Sequence, residues 1–260
     1  MTKDTLTAMR ATPRKRIPKI IEQYRVHHRL TIYQEISKTT GMKTPMTQKD
    51  RSKMIKEKIL AVSLHLFILN GYKSTTTREI IKKAGITTGT LYHFFLDKED
   101  ILLNIVLTTF SEAMNAAINI IGKQNDSALV YATVYALEMK AIEKYDRAAE
   151  LYLESYSSWR ITEVLHPINV ERNKAFFHKY NPDFTDEDYY IKTLALRGMR
   201  LTFIKERLCA GRIDYQAKCS FLIETGLKFF NVPPKKIKEA IAKALELTSR
   251  NSLTLYGFRI

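Results

Sequence analysis

The 260-residue chain is short of whatever would interrupt a helix, with 9 Gly and 7 Pro, and it has 2 Cys. So little turn material, set against long stretches of 3.6-residue apolar periodicity, excludes a strand-and-turn architecture and predicts an all-α chain. Cys209 and Cys219 are not at metal-ligand spacing and are expected to be buried thiols rather than a disulfide or a zinc site. No run of about 18 apolar residues is found, so no membrane contact is expected. The N-terminus is basic, but no apolar segment follows it, which argues against a secretory signal and for a cytoplasmic protein. Glycine-rich phosphate loops, nucleophile–base sets and His/Cys clusters are missing as well. Neither an enzyme nor a cofactor or metal site is expected.

What the chain has in excess is positive charge, +15 overall, and its distribution is uneven. Residues 1–50 hold 11 Lys/Arg against 4 Asp/Glu, residues 51–100 hold 9 against 5, and the remaining 160 hold 22 against 18. An N-terminal excess of this kind suits a partner made of phosphates, although RNA or an anionic lipid surface would suit it too.

Next to that excess lies a pattern of caps and stops. Asp50 is a plausible N-cap for a helix to about Leu69, with Ile55, Ile59, Val62, Leu66 and Leu69 on one stripe and Asn70–Gly71 as its stop. Thr76 opens a T-T-R-E capping box with Glu79. The short helix Thr77–Ala84 ends at Gly85, and Ile86 tucks the turn into the core. Thr87 or Thr88 then caps a second short helix, Gly89–Phe94, and Asp97 caps a long apolar one. Two short helices joined by a Gly-centred turn are the outline of a helix-turn-helix. The second carries hydroxyls, a tyrosine and a histidine where a surface helix would usually carry Lys and Glu.

Phe67–Gly71–Tyr72, Thr76–Thr77–Ile80, Ala84–Gly85–Ile86, Gly89–Thr90–Leu91–Tyr92–Phe95 and Lys98–Glu99 together resemble the DNA-binding domain of the TetR family of bacterial transcriptional regulators. The match covers about a fifth of the chain. It departs from the family at Ser63 and Ile81, where the family has small Ala. The resemblance implies a basic extension (1–49), a helix-turn-helix domain (50–97) and a larger helical domain for effector binding and dimerisation (98–260). It also implies a homodimer on the double-stranded DNA of a near-palindromic operator, most often a ligand-responsive repressor.

On this reading Thr88, Thr90 and His93 face base edges, and Gly89 lets the backbone approach DNA. Tyr92 resembles the family's phosphate-contacting tyrosine, and Thr77 and Lys98 lie at helix N-termini where phosphate oxygens can be held. Arg78 fits either a base or a phosphate, and the caps Thr76 and Thr87 complete the set. Leu91 and Phe95 read as core. Each polar residue also has a plainer reading as solvated surface, His93 most of all.

Beyond Lys98 the spacing predicts helices over 98–121, 127–145, 147–157, 159–179, 186–210, 214–231 and 234–248. Ile191, Leu194, Gly198, Leu201 and Leu208 share a stripe, as do Tyr215, Cys219, Leu222, Gly226 and Phe229/Phe230. Such stripes fit an intramolecular core as well as the four-helix dimer interface that the resemblance implies. Tyr131, Tyr135, Tyr152, Tyr156, Trp159 and His166 are candidates for a pocket taking a small hydrophobic or aromatic effector. Taken singly, each reads first as ordinary core. For residues 1–49 the open readings are a basic arm on DNA, a small packing appendage, or a start placed upstream of Met46. Two further functions stay open: a DNA-binding protein that works through a protein partner on the chromosome, or an activator.

Overall fold

The computed structural model describes residues 47–122, 126–251, 254–255 and 258–259, and the readings made for residues 1–46 lie outside them. Ten α-helices run through the described residues: α1 Gln48–Asn70, α2 Thr77–Ala84, α3 Thr88–Phe94, α4 Lys98–Ile121, α5 Ser127–Lys144, α6 Asp146–Ser157, α7 Trp159–Phe177, α8 Asp186–Cys209, α9 Tyr215–Phe229 and α10 Pro234–Arg250. A single 3-10 turn (His178–Tyr180) follows α7. Thr254–Leu255 and Phe258–Arg259 form a two-residue antiparallel pair.

Local chemistry sets most boundaries. Asp50 is not the N-cap of α1. Thr47 takes that role, its hydroxyl accepting from the Asp50 N–H at 3.2 Å while the Asp50 carboxylate accepts from the Thr47 N–H at 3.1 Å, so Asp50 is the acidic member of a capping box. The same reciprocal pair starts α8 with Thr185 and Asp188. Pro234 stands at the start of α10, where its missing N–H costs nothing.

Helix α5 is the axis of the larger half. Nearly every residue from Ala128 to Ile142 is buried, and α4, α6, α9 and α10 pack around it. A helix apolar on all sides needs such a jacket. Each fully buried Val, Leu or Ile there contributes about 1.5–3 kcal/mol relative to exposure. By length and composition alone α4 could also cross a bilayer, contrary to the sequence expectation. Its Ile101, Leu102, Ile105 and Val106 are instead buried within the protein.

The two late stripes separate in space. On α9, Cys219, Leu222, Gly226 and Phe230 are buried against the rest of the fold. On α8, Tyr189, Thr193, Leu196 and Ile204 turn inward, while Ile191 stays 58% exposed and Gly198 faces outward. Cys219 is buried as expected. Cys209, in the last turn of α8, is exposed.

Candidate nucleic-acid interface

The joint between α2 and α3 is built from backbone requirements. Gly85 adopts φ +62°, ψ +45°, and the Ile86 N–H reaches back to the Ile81 carbonyl at 3.2 Å, closing a left-handed helix stop. Upstream, the Thr76 hydroxyl accepts from the Glu79 N–H, and the Glu79 carboxylate takes the Thr76 N–H at 2.7 Å. That backbone donor, followed by the Thr76 hydroxyl, holds the Glu79 carboxyl below its usual range. Thr87, not Thr88, caps α3. Its hydroxyl accepts from the Thr90 N–H at 3.1 Å and lies 2.8 Å from the Thr90 hydroxyl.

Helix α3 is thereby held with two unlike faces. Leu91 and the following Phe95 are buried to within 1% of their surface, fastening the helix to α1, whose Lys56 ammonium lies over the Phe95 ring. Thr88, Gly89, Tyr92 and His93 are exposed, and Thr90 is half-buried beside its cap. The structure therefore brings Thr87, Thr88, Gly89, Thr90, Tyr92 and His93 onto one short outward surface. Thr76, Thr77 and Arg78 stand at the start of α2, with Arg78 exposed. Gly89 is informative because the fold does not demand glycine there. Its φ is not positive, and an added Cβ would meet nothing closer than the Thr87 hydroxyl at 3.9 Å.

Lys98 differs from its neighbours. Its ammonium is turned inward, donating to the Tyr72 and Thr75 carbonyls at 2.8 Å each and to that of Lys73 at 3.3 Å, over the Tyr72 ring. All three donors are occupied, and burial lowers its pKa. In this geometry Lys98 staples the loop between α1 and α2 to the start of α4. Burial likewise pushes the Tyr72 hydroxyl up to about 12.

The start of α4 is also where the larger half grips this element. Asp97 accepts from the Asp100 N–H and, at 2.6 Å, from Arg160 of α7. Burial works to raise the Asp97 pKa, but these two donors outweigh it and hold the carboxyl low. The Ser158 hydroxyl donates to Glu99 at 2.6 Å. Lys73 pairs with Glu154 of α6 at 3.0 Å.

The residues predicted for an effector pocket divide. Tyr135, Tyr156 and His166 line a cavity of about 20 Å³ between α5, α6, α7 and α8, and Tyr152 lines a neighbouring one of about 10 Å³. Tyr131 lies behind them, stacked on Tyr135 at 4.2 Å, its hydroxyl pressed against Gly226 where a Cβ would stand 2.1 Å away. Trp159 does not join the group: it is 56% exposed and its indole N–H bonds Glu163. The other polar residues facing the cavities are ones the sequence reading passed over, namely Glu138, Asn169, Arg172, Asn173, Thr193, Arg197 and Arg200. Glu138 was detectable as a lone carboxylate inside the apolar run 128–142. Arg197 and Arg200, three apart on α8, were detectable as charges interrupting an apolar stripe. A larger concavity, about 420 Å³, is an open groove lined by Asp126, Lys179, Lys236, Glu239 and Lys243 and holds none of the predicted residues.

Comparison with known proteins sorts these two regions. Residues 59–105 match the family model described as bacterial regulatory proteins, tetR family. Over 52 residues the chain is 48% identical to the HTH-type transcriptional regulator QacR of Staphylococcus aureus (strain Mu50 / ATCC 700699), covering 20% of this chain and 28% of that protein. It is 26% identical over 128 residues to the transcriptional repressor KstR2 of Rhodococcus jostii (strain RHA1), covering 49% and 58%. The chain thus spans less than two thirds of these relatives. Among solved structures, RolR in complex with resorcinol aligns with TM-score 0.55 at 20% identity, over 78% of this chain and 97% of that one. TylP, a tetR regulator from Streptomyces fradiae, aligns with TM-score 0.51 at 15% identity, over 79% and 94%. At these identities the structures establish a shared fold.

Proposed function

We propose, taking as premise that this chain belongs to the TetR family of bacterial transcriptional regulators, that it is a cytoplasmic, homodimeric repressor whose hold on DNA responds to a small molecule. The observation that carries the DNA reading is the two-faced helix α3. Leu91 and Phe95 fix it to the fold, while Thr88, Gly89, Thr90, Tyr92 and His93 are presented outward on rigidly capped backbone. Thr88, Thr90 and His93 are assigned to base edges, and Tyr92 and Thr77 to phosphates. Arg78 and the caps Thr76 and Thr87 complete the surface. Lys98 acts there by holding the loop that leads into α2, where Thr77 stands. We assign the chain no catalytic activity.

The dimer reading rests on α8. Gly198 faces outward in mid-helix, where glycine costs about 1 kcal/mol relative to alanine, and a Cβ there would meet nothing within 4 Å. Ile191 lies seven residues away on the same exposed side. A second copy approaching closely along this face accounts for both. Two heads related by a two-fold axis would enter successive major grooves of a near-palindromic site. An effector between α5, α7 and α8 shifts the head spacing only through its different affinity for the two states.

Selection of bound genomic fragments by the purified full chain tests the reading. Enrichment of one near-palindromic sequence is expected, and Thr90→Ala should weaken it by about 1–3 kcal/mol while relaxing preference at the contacted base. A folded protein that enriches no fragment at low salt would sink the proposal. Bound sites scattered away from promoters, with no response to any ligand, would favour the chromosome-associated reading instead.

A further inference from the structure

The two interior cavities share a wall. Tyr135, Tyr156 and Arg200 line both. On one side lie His166, Arg172, Asn173 and Arg197, and on the other Glu138, Met139, Ile142, Tyr152 and Ile204. The first side is polar and cationic, and the second is largely apolar. At about 20 and 10 Å³ neither holds more than about one water as it stands. Moving Arg200 and Tyr156, which are bonded to each other at 2.6 Å, would merge them into one chamber with a charged end and an apolar end.

The charges there do not balance. Three guanidiniums, those of Arg172, Arg197 and Arg200, meet a single lining carboxylate among the described residues, Glu138. Glu138 lies 3.4 Å from Arg200, and their side chains retain 11% and 13% of their exposure. Burial pushes Glu138 up to about 7, so at neutral pH it supplies only part of a negative charge. The hydrogen bonds do not balance either. Arg172 Nε, Arg200 Nη2 and His166 Nε2 are buried without a partner. Arg197 is satisfied by the Ser155 carbonyl at 2.8 Å and the Tyr156 ring. Each of the two buried unpaired arginine donors costs about 1–3 kcal/mol. Packing alone does not explain the cluster, because apolar side chains of like volume would fill the same space without that cost.

We propose that the chamber binds an amphipathic organic acid. The carboxylate accepts from Arg172 and Arg200, replacing Glu138 as the counter-ion, and the apolar body lies along Met139, Ile142 and Ile204. This rests on reading the chain as an effector-responsive regulator and narrows the effector from hydrophobic or aromatic to anionic at one end.

The test uses the full-length protein with octanoate, octan-1-ol and inorganic phosphate, followed by thermal denaturation and titration calorimetry. Octanoate should raise Tm and bind about tenfold or more tighter than octan-1-ol, the difference expected for charge-assisted hydrogen bonds, and phosphate should leave Tm unchanged. Arg172→Met should lose most of the acid-over-alcohol preference, read against its own unliganded Tm because the change also removes a bond to Asn173 and a ring contact with Phe110. Should that variant not fold, Arg172→Lys still reads the preference, which should fall but not vanish. Equal binding of acid and alcohol, binding of neither, a phosphate shift equal to that of octanoate, or an Arg172 variant with undiminished preference would each overturn the proposal. Operator binding is measured in parallel. Octanoate that binds without releasing DNA supports the chamber and defeats the regulatory reading. A neutral ligand that releases DNA while octanoate fails to bind does the reverse.

Discussion

In the helix-turn-helix head, Thr76 and Glu79 satisfy each other, Asp97 takes both a backbone N–H and Arg160, and the Lys98 ammonium is surrounded by three carbonyls. In the interior of the larger half, Arg172 Nε, Arg200 Nη2 and His166 Nε2 are left without partners. One region completes its internal bonds, Ser63 Oγ apart, and leaves its reactive surface facing outward. The other keeps unmet valence inside. A groove-reading surface must hold its shape before the partner arrives, because each contact depends on geometry fixed in advance. The pocket proposed above would gain from the opposite arrangement, since a ligand that supplies the missing acceptor favours the state that admits it.

The largest effect should come from a buried charge in the larger half that, unlike the arginines, is fully paired. The Lys218 ammonium is buried between Glu143 at 3.2 Å and Glu206 at 3.3 Å, tying α9 to α5 and α8. Lys218→Ala leaves two neighbouring carboxylates facing a void and should cost about 3 kcal/mol, read as a lower urea midpoint. The arginine cluster should behave differently, so an Arg172→Met loss of the same size would erase the contrast between paired and unpaired interior charge.

Acid and base should separate the two regions. Glu79 and Asp97 are held below their ordinary values, so the stability they contribute is present above about pH 4.5 and lost as pH falls through their folded pKa values. Glu138 is raised to about 7, so its contribution is complete below about pH 4.5 and is lost as pH rises through 7. His166 is held below its ordinary value by burial and by Arg197, and therefore slopes the other way as pH falls below about 6.5. The measurement is the difference between the wild-type and Glu138→Gln stability profiles, which should fall between about pH 4.5 and pH 7 and be flat elsewhere. A flat difference throughout would mean that Glu138 ionises normally and that the interior is not short of negative charge.

Thr76→Ala probes the other side of the comparison. Loss of the capping box at α2 should cost about 1 kcal/mol, or about 2–4 °C in Tm for a unit of this size, with faster amide exchange confined to the head. Exchange spread evenly through α5 and α8 would mean that head and core open together.

The same contrast explains how much could be read from the sequence. Thr76, Glu79, Gly85, Thr87 and Asp97 act on backbone within three or four positions of themselves, so their roles were written in short strings, and the misplaced α1 cap was an error of three residues within one capping box. The interior site joins Glu138, Arg172, Arg197 and Arg200 from three helices. Nothing in the spacing between residues 138 and 200 says that they meet. The aromatic candidates were chosen by residue type, which took in Tyr135, Tyr152, Tyr156 and His166 beside the cavities and also Trp159, whose side of α7 faces water. Lys98 lay where a phosphate ligand belongs by position, and only its rotamer shows the ammonium turned toward the Tyr72–Thr75 carbonyls.

The smallest expected effect on stability divides structure from recognition most cleanly. Gly85 and Gly89 lie four residues apart in the head. Gly85 holds φ +62°, where any Cβ is strained, and it ends α2. Gly89 has ordinary helical backbone and open space around its missing Cβ. Gly85→Ala should therefore destabilise the head by about 1 kcal/mol. Gly89→Ala should instead stabilise it by about 0.4–1 kcal/mol through the unfolded chain. If the backbone at residue 89 approaches DNA closely, that more stable variant should nevertheless bind its operator more weakly, with salt dependence unchanged because no phosphate contact is removed. A Gly89→Ala protein with full operator affinity would mean that the glycine serves neither the fold nor the groove, and the outward face of α3 would have to be centred elsewhere.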